Sequence, residues 1–148
     1  MRKEKRSDQF TIIPFERLKT SSAWKLTSEL VRRKALVNPQ EKDKKKWICK
    51  CYTCGRLIPY EKACAGHARE KRGGSAIYFD YKDGIRCQCN YCNRRLHGNY
   101  GVFTIKLLDE IGRERIDAYN RKAQKSKVWT KADLFIIETI LKDELKKL

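Results

Sequence analysis

Cys51-Tyr52-Thr53-Cys54-Gly55 and Cys89-Asn90-Tyr91-Cys92-Asn93-Arg94-Arg95-Leu96-His97-Gly98-Asn99 are the two stretches on which the fold turns. Each holds a C-x-x-C pair, the spacing at which two thiolates of one tight turn reach the same tetrahedral ion. Together Cys51, Cys54, Cys89 and Cys92 make one structural zinc site with four sulfur ligands. Gly55 suits the tight turn after the first pair, and a chain of 148 residues with a small core gains stability from such an ion. Cys49 and Cys87 lie beside the two pairs as alternative ligands; with Cys64 they are otherwise read as packing residues or supports for the ligands. Seven cysteines leave one unpaired in any disulfide framework. The charged start Met1–Arg6, with no apolar stretch after it, predicts a protein of the reducing cytoplasm, where thiols bind metal in preference to forming disulfides.

Between the two pairs the chain is longer than the roughly 15–20 residues of a simple two-pair zinc site. The insertion contains His67. Hydrolysis of a phosphodiester needs an activated water, a cation that stabilises charge on phosphorus and the leaving oxygen, and groups that hold both in line. A neutral imidazole accepts a proton near neutral pH. A helix beginning at or just after Cys92 puts Asn93 and His97 on one face at i and i+4, a geometry for two ligands of Mg²⁺ or Mn²⁺ that leaves water positions open. His97 has a second use as a phosphate contact, and His67 a second reading as a structural ligand or a surface residue. Arg69, Lys71 and Arg72 follow His67, and Arg94 and Arg95 follow the second pair, so positive charge brackets the site and positions phosphates without reading bases. A strand bearing His67, a loop, and a helix bearing Asn93, with zinc pinning one to the other, is the ββα-metal arrangement of HNH nucleases.

The segments Ala65-Gly66-His67, Tyr78-Phe79-Asp80, Gln88-Cys89-x-x-Cys92-Asn93, Gly98-Asn99 and Lys127-Val-Trp129-Thr130 resemble the lambdoid phage NinG (Rap) recombination endonuclease family over about residues 47–148. The resemblance implies a phage nuclease acting on branched recombination intermediates such as Holliday junctions and D-loops, with His67 as general base and Asn93 on the metal. Three positions depart from the pattern. The middle Asn of the HNH motif falls near Gly84, with Asp83 beside it, and the acid that often precedes the catalytic His is Gly66 here. The region before Trp47 lacks the further Cys-rich knuckle of longer members. Asp80, Asp83 and Asn90 are candidates to fill these gaps, each also an ordinary turn or surface residue.

Outward from this centre the chain is strongly basic. Its net charge of +17, spread from Arg2 to Lys147, predicts a polyanionic partner. Nucleic acid fits better than membrane, because phosphate neutralisation releases counterions and no segment is long and apolar enough for a bilayer. A hydrophobic fraction of 41% beside 36% charged residues allows one small core with a charged surface. The fold class expected is small α+β: a zinc-knuckle ββα-metal module at residues 47–101, preceded by a basic arm and helix at residues 1–46 and followed by a helical extension at residues 102–148. Ser21 or Ser22 caps a helix that ends before Pro39. Ala76–Tyr81 reads as a short aromatic strand between Gly73-Gly74 and Asp83-Gly84 turns. Val102, Ile105 and Leu108 recur at helical spacing, Gly112 interrupts, and Ile116 and Tyr119 resume. Thr130 with Asp133 starts a last helix whose Leu134, Ile137, Leu141, Leu145 and Leu148 share one face.

Three functions of different classes follow. The first is a structure-selective, metal-dependent DNA endonuclease, working as a homodimer if two strands are cut symmetrically. The second is a non-catalytic zinc-ribbon DNA-binding accessory protein of recombination, and the third an RNA-binding knuckle protein.

Overall fold

In the computed structural model, which describes residues 8–148, strand β1 (Ile12–Ile13) is followed by the single-turn helix α1 (Phe15–Leu18). Residues 1–7 of the expected basic arm lie outside the described residues. Ser21 is extended, and its side chain accepts the Trp24 N–H, which starts helix α2 (Ser22–Lys34). One face of α2 is apolar, with Ala23, Thr27, Leu30 and Val31 buried. The Thr27 hydroxyl donates to the Ala23 carbonyl at 2.7 Å, so this polar member of the stripe is satisfied. The charged run before Trp47 forms a 3-10 turn, Lys44–Lys46, with Asp43 at its start.

Two antiparallel hairpins follow. Strands β2 (Ile48–Lys50) and β3 (Leu57–Pro59) pair with Cys49 opposite Ile58, and the first C-x-x-C pair lies in the turn between them. Gly55 closes that turn at φ +76°, a left-handed conformation that costs glycine little. Strands β4 (Cys64–His67) and β5 (Ile85–Gln88) pair with His67 opposite Ile85 and Cys64 opposite Gln88. The second C-x-x-C pair follows β5 directly. Helices α3 (Tyr100–Ile111) and α4 (Arg113–Lys122) flank Gly112, as the sequence predicts, and strand β6 (Trp129–Thr130) leads into α5 (Lys131–Lys146). Thr130 and Asp133 form the reciprocal capping box. β6 pairs with β1, Ile12 opposite Thr130, which ties the two ends of the described chain together. Among the described residues the result is a small mixed α and β arrangement with three two-stranded antiparallel sheets.

The buried side chains form three clusters. One is rich in thiols and joins Val31 of α2 to Cys49, Cys51, Ile58, Ile85, Cys87, Cys89 and Cys92. A second joins Leu18, Ala23, Tyr78, Phe79, Trp129 and Leu134, and a third Ala68, Ile77, Phe103, Leu107, Ile116 and Tyr119. Trp24 packs against both of the first two. α2 also lies against α5 and against β4 and β5, so the segment before the cysteines is part of the packing around the central hairpin.

Three expectations about local structure are corrected. Ala76–Tyr81 is not a strand: Ser75–Ile77 is a 3-10 turn, and Ile77, Tyr78 and Phe79 are all buried in succession, with no alternation for a pleat to follow. In α3 the buried stripe is Phe103 and Leu107, while Val102, Ile105 and Leu108 are exposed. Both sets have helical spacing, and only contact with Ile116 and Tyr119 selects between them. In α5, Leu134 and Leu141 are buried and Ile137 and Leu145 half-buried, but Leu148 lies beyond the helix end and is exposed. Among the described residues no helix is long and apolar enough to cross a membrane.

Candidate metal centre and active site

The four cysteines at C-x-x-C spacing are gathered as predicted: their sulfur atoms all lie within 4.8 Å of one another. A tetrahedral zinc with sulfur at about 2.3 Å has sulfur–sulfur edges of about 3.8 Å, and Cys54 and Cys89 stand 3.7 Å apart. The donor set therefore fits a metal ion such as zinc. Desolvation opposes a thiolate at Cys51, but N–H groups of Cys54, Cys89 and Thr53 and the Thr53 hydroxyl outweigh it and bring the thiol down to about 6. Three of the sulfurs are buried and Cys54 is exposed. Cys49 and Cys87 are buried in the thiol-rich cluster outside the four-sulfur group, and the Cys49 thiol donates to the Arg32 carbonyl at 3.3 Å. Cys64 is half-buried and belongs to neither group.

The chain after Cys89 departs from the expected helix. Tyr91–Arg95 is a π-turn, closed by the Leu96 N–H to the Tyr91 carbonyl at 2.9 Å. His97, Gly98 and Asn99 then follow with φ of +50°, +95° and +50°. Asn93 and His97 are thus not at i and i+4 of one helix. The left-handed run turns the chain back instead, and Asn93, His97 and His67 still line one concavity of about 190 Å³ with Arg69, Glu70 and Lys71. Non-glycine residues in this region are uncommon and cluster at functional sites. The Asn99 side-chain amide, donating to Cys92 Sγ at 3.7 Å, couples the run to the cysteine cluster.

His67 ends β4 and is only 6% exposed. Its ring stacks on Trp24 of α2, centroids 5.2 Å apart and planes 15° apart, and meets Tyr78 edge-on. Nε2 lies 2.8 Å from the Tyr78 carbonyl oxygen. A carbonyl only accepts, so Nε2 carries the proton and Nδ1 holds the free lone pair. Burial, helped by the charge of Lys71, lowers the imidazole to about 3, and the ring is neutral across the physiological range. Trp24 and Tyr78 are the residues that hold this ring, and nothing in their local sequence announced it.

A second group involves a residue of the resemblance to which the sequence assigned no role. Gln88, fully buried, donates from Nε2 to Thr53 Oγ1 at 3.1 Å and to the Gly98 carbonyl at 2.8 Å. Thr53 is in turn 3.4 Å from Cys51 Sγ. One amide therefore bridges the sulfur cluster to the left-handed run that presents His97. Its remaining oxygen, Oε1, is buried without a partner and faces Gly66.

The basic residues divide. Lys71 and Arg69 line the concavity; Arg69 is engaged with the Ala68 carbonyl and the Thr104 hydroxyl, both at 2.7 Å. Arg72, Arg94 and Arg95 are exposed and are not among its lining residues, and Arg72 lies 3.9 Å from Glu16. Asp80 and Asp83 do not line it: they pair with Lys122 and Arg115 of α4. Asn90 is exposed at the start of the π-turn and also stands outside. Glu70, which the sequence reading passed over, is the one carboxylate on the rim.

A family model described as Bacteriophage Lambda NinG protein matches residues 2–148. The chain belongs to the NinG family. Among NinG proteins, Protein ninG of Escherichia phage 933W and Protein ninG of Enterobacteria phage VT2-Sa are each 29% identical to it over 98 residues, covering 66% of this chain and 47% of theirs. The chain spans about half the length of these curated relatives. No solved structure matches it. Of the residues on which the NinG resemblance rests, Gly66 and His67 on β4, Gln88 on β5, and Asn93 and Gly98 around the π-turn lie close together, while Asp80 and Trp129 lie outside the concavity.

Proposed function

We propose that this NinG-family protein is a metal-dependent DNA endonuclease of phage recombination, acting in the host cytoplasm on branched intermediates such as Holliday junctions and D-loops. The observation that carries the reading is the hydrogen bond from His67 Nε2 to the Tyr78 carbonyl. It leaves Nδ1, on a rigidly stacked neutral ring at the wall of a polar concavity, as the acceptor for the proton of an attacking water. An imidazole lowered to about 3 is a weak base in the free protein. A bound phosphodiester brings negative charge beside the ring and raises its proton affinity, so basicity is supplied when substrate arrives.

Asn93 and His97 are the residues that would hold Mg²⁺ or Mn²⁺, with Glu70 on the same rim. This donor set fits a cation that keeps several waters and takes further oxygens from phosphate. Such an ion supplies charge neutralisation at the phosphate and the leaving oxygen. Lys71 and Arg69 at the concavity, with the exposed Arg72, Arg94 and Arg95 close by in sequence, would orient the backbone without base contacts, which suits selection by DNA shape. Zinc in the four-cysteine cluster would hold the β2–β3 turn to the segment that follows β5 and enters the π-turn. The ββα-metal resemblance is consistent with the order β4, β5, π-turn, α3.

One observation favours the non-catalytic accessory reading: among the described residues, the four cysteines are the one group of three or more His, Cys, Asp or Glu gathered at ligating distance. The two readings separate in an assay of a labelled four-way junction and its matched linear duplex with Mg²⁺, Mn²⁺ or EDTA. Cutting that requires the metal, prefers the junction and is lost in His67→Gln with zinc content and DNA binding retained is the expected result. Salt-dependent binding with no product in any metal would leave a zinc-stabilised accessory protein.

A further inference from the structure

A groove of about 630 Å³, larger than the concavity at His67 and sharing no lining residue with it, opens between α2, the two hairpins and helices α3 and α4. Its floor is apolar, from Val31, Ile85 and Cys87. Its rim is cationic: Lys34 comes from the end of α2, Lys50 from β2, Lys106 from α3 and Arg115 from α4. Four elements converge there, which distinguishes the rim from a single solvated helix face. The one acid in the lining, Glu110, is paired with Arg86.

Two tyrosines stand among these charges. Tyr81 is half-buried, with Lys34 Nζ 5.5 Å from its ring centroid. Tyr52 packs on Phe103 at 5.2 Å, and its hydroxyl is buried without a hydrogen-bond partner. Burial pushes that phenol up to about 12, so it remains a neutral donor and acceptor. An apolar floor, aromatic walls and a positive rim suit a planar ring attached to phosphates. The volume lies within the roughly 300–1,000 Å³ of small-ligand sites and is far too small for a duplex.

We propose that this groove binds an unpaired nucleotide of single-stranded DNA, the base against Tyr81 and the flanking phosphates between Lys34, Lys50 and Lys106. The inference deepens the proposed function by assigning a part of the substrate, and rests on DNA being the partner but not on cleavage. A protein that held unpaired nucleotides here and backbone at the His67 concavity would prefer DNA with single-stranded or distorted segments over linear duplex.

The test is binding of the zinc-loaded full chain to a short single-stranded oligonucleotide carrying 2-aminopurine, with linear duplex and free dTMP as comparisons. Wild type is expected to bind the single strand and change the 2-aminopurine signal. K34E/K106E should weaken single-strand binding about tenfold or more and reduce the salt slope by about one to two, while duplex affinity changes less than about twofold. Tyr81→Leu should abolish the 2-aminopurine change and keep the salt slope. Circular dichroism and zinc content qualify each variant as folded, and Lys50→Glu serves as a second charge reversal if K34E/K106E fails that check. Single-strand affinity unchanged in the folded groove variants, or single strand and duplex weakened equally, would overturn the assignment. So would displacement of the oligonucleotide by dTMP at equal concentration, which would mark a mononucleotide site. Groove-dependent binding without any cleavage would leave this proposal standing and remove the nuclease reading; cleavage with an inert groove would do the reverse.

Discussion

Gln88 occupies the space that a side chain on Gly66 would need: a β-carbon built on Gly66 falls well inside van der Waals contact with Gln88 Oε1 and Cδ, and 3.1 Å from Asn93 Oδ1. The acid that often precedes the His of the HNH motif would therefore require the Gln88 amide to shift, and two amide oxygens stand in that region instead. Gly66→Ala is expected to cost about 1–3 kcal/mol through overpacking. Combining it with Gln88→Ala should recover part of that loss, so that the double variant is less destabilised than the two singles together. Urea unfolding of the four proteins measures the coupling; strict additivity would mean that the two residues do not compete for this space.

Gly84 is constrained in the same way by Tyr119, whose ring lies where a β-carbon would go. Gly84→Asn, which restores the middle residue of the HNH pattern, should destabilise by at least about 1–3 kcal/mol and bring no gain in nuclease activity. A stable variant with raised activity would show that Tyr119 moves aside and that position 84 faces the chemistry.

Buried His67 makes stability depend on pH. Its folded-state value, lowered to about 3, lies below the ordinary 6.5. Between those limits the unfolded chain binds a proton that the native chain does not, so stability falls as pH decreases from about 6.5 toward 3, with a slope approaching about 1.4 kcal/mol per pH unit. His67→Gln should flatten that part of the curve. Because acid also displaces metal from thiolates, the quantity to compare is the difference between wild type and variant at matched zinc content; parallel curves would contradict a buried neutral imidazole.

Removal of metal from the four-cysteine cluster should unfold the two hairpins, since an ion bound there would hold the β2–β3 turn to the segment after β5. One zinc per chain by elemental analysis, loss of the thermal transition with chelator and its return with Zn²⁺ are the expected outcomes. Cys51→Ser should reproduce the chelated state. An unchanged melting curve after verified zinc removal would assign these thiols to packing.

The capping box at Thr130 is a local test of α5. Its hydroxyl accepts the Asp133 N–H at 3.2 Å while the Asp133 carboxylate accepts the Thr130 N–H at 2.9 Å. Thr130→Ala should cost about 1 kcal/mol, read as a shift of the denaturant midpoint with unchanged m. No shift would mean that pairing of β6 with β1 alone sets the start of the helix.

Some of this protein was legible residue by residue. Thiolate spacing is a property of the local chain, and so are the caps at Ser21 and Thr130 and the break at Gly112; each involves partners within four residues, and each is where the sequence places it. His67, Asn93 and His97 line one concavity although the helix expected to join two of them is a π-turn and a left-handed run. Tertiary structure alone decided what depends on contacts distant in sequence. It chose Phe103 and Leu107 over Val102, Ile105 and Leu108 as the inner face of α3, because both stripes satisfy the helical period and only Ile116 and Tyr119 distinguish them. It packed Tyr78 and Phe79 into a turn, stacked Trp24 on His67, and left Gln88 with an amide oxygen pointing at a glycine. Periodicity and spacing encode what a residue does to its neighbours along the chain; which partner desolvates, orients or crowds it is set by packing between elements, where hydrophobic contact carries no address.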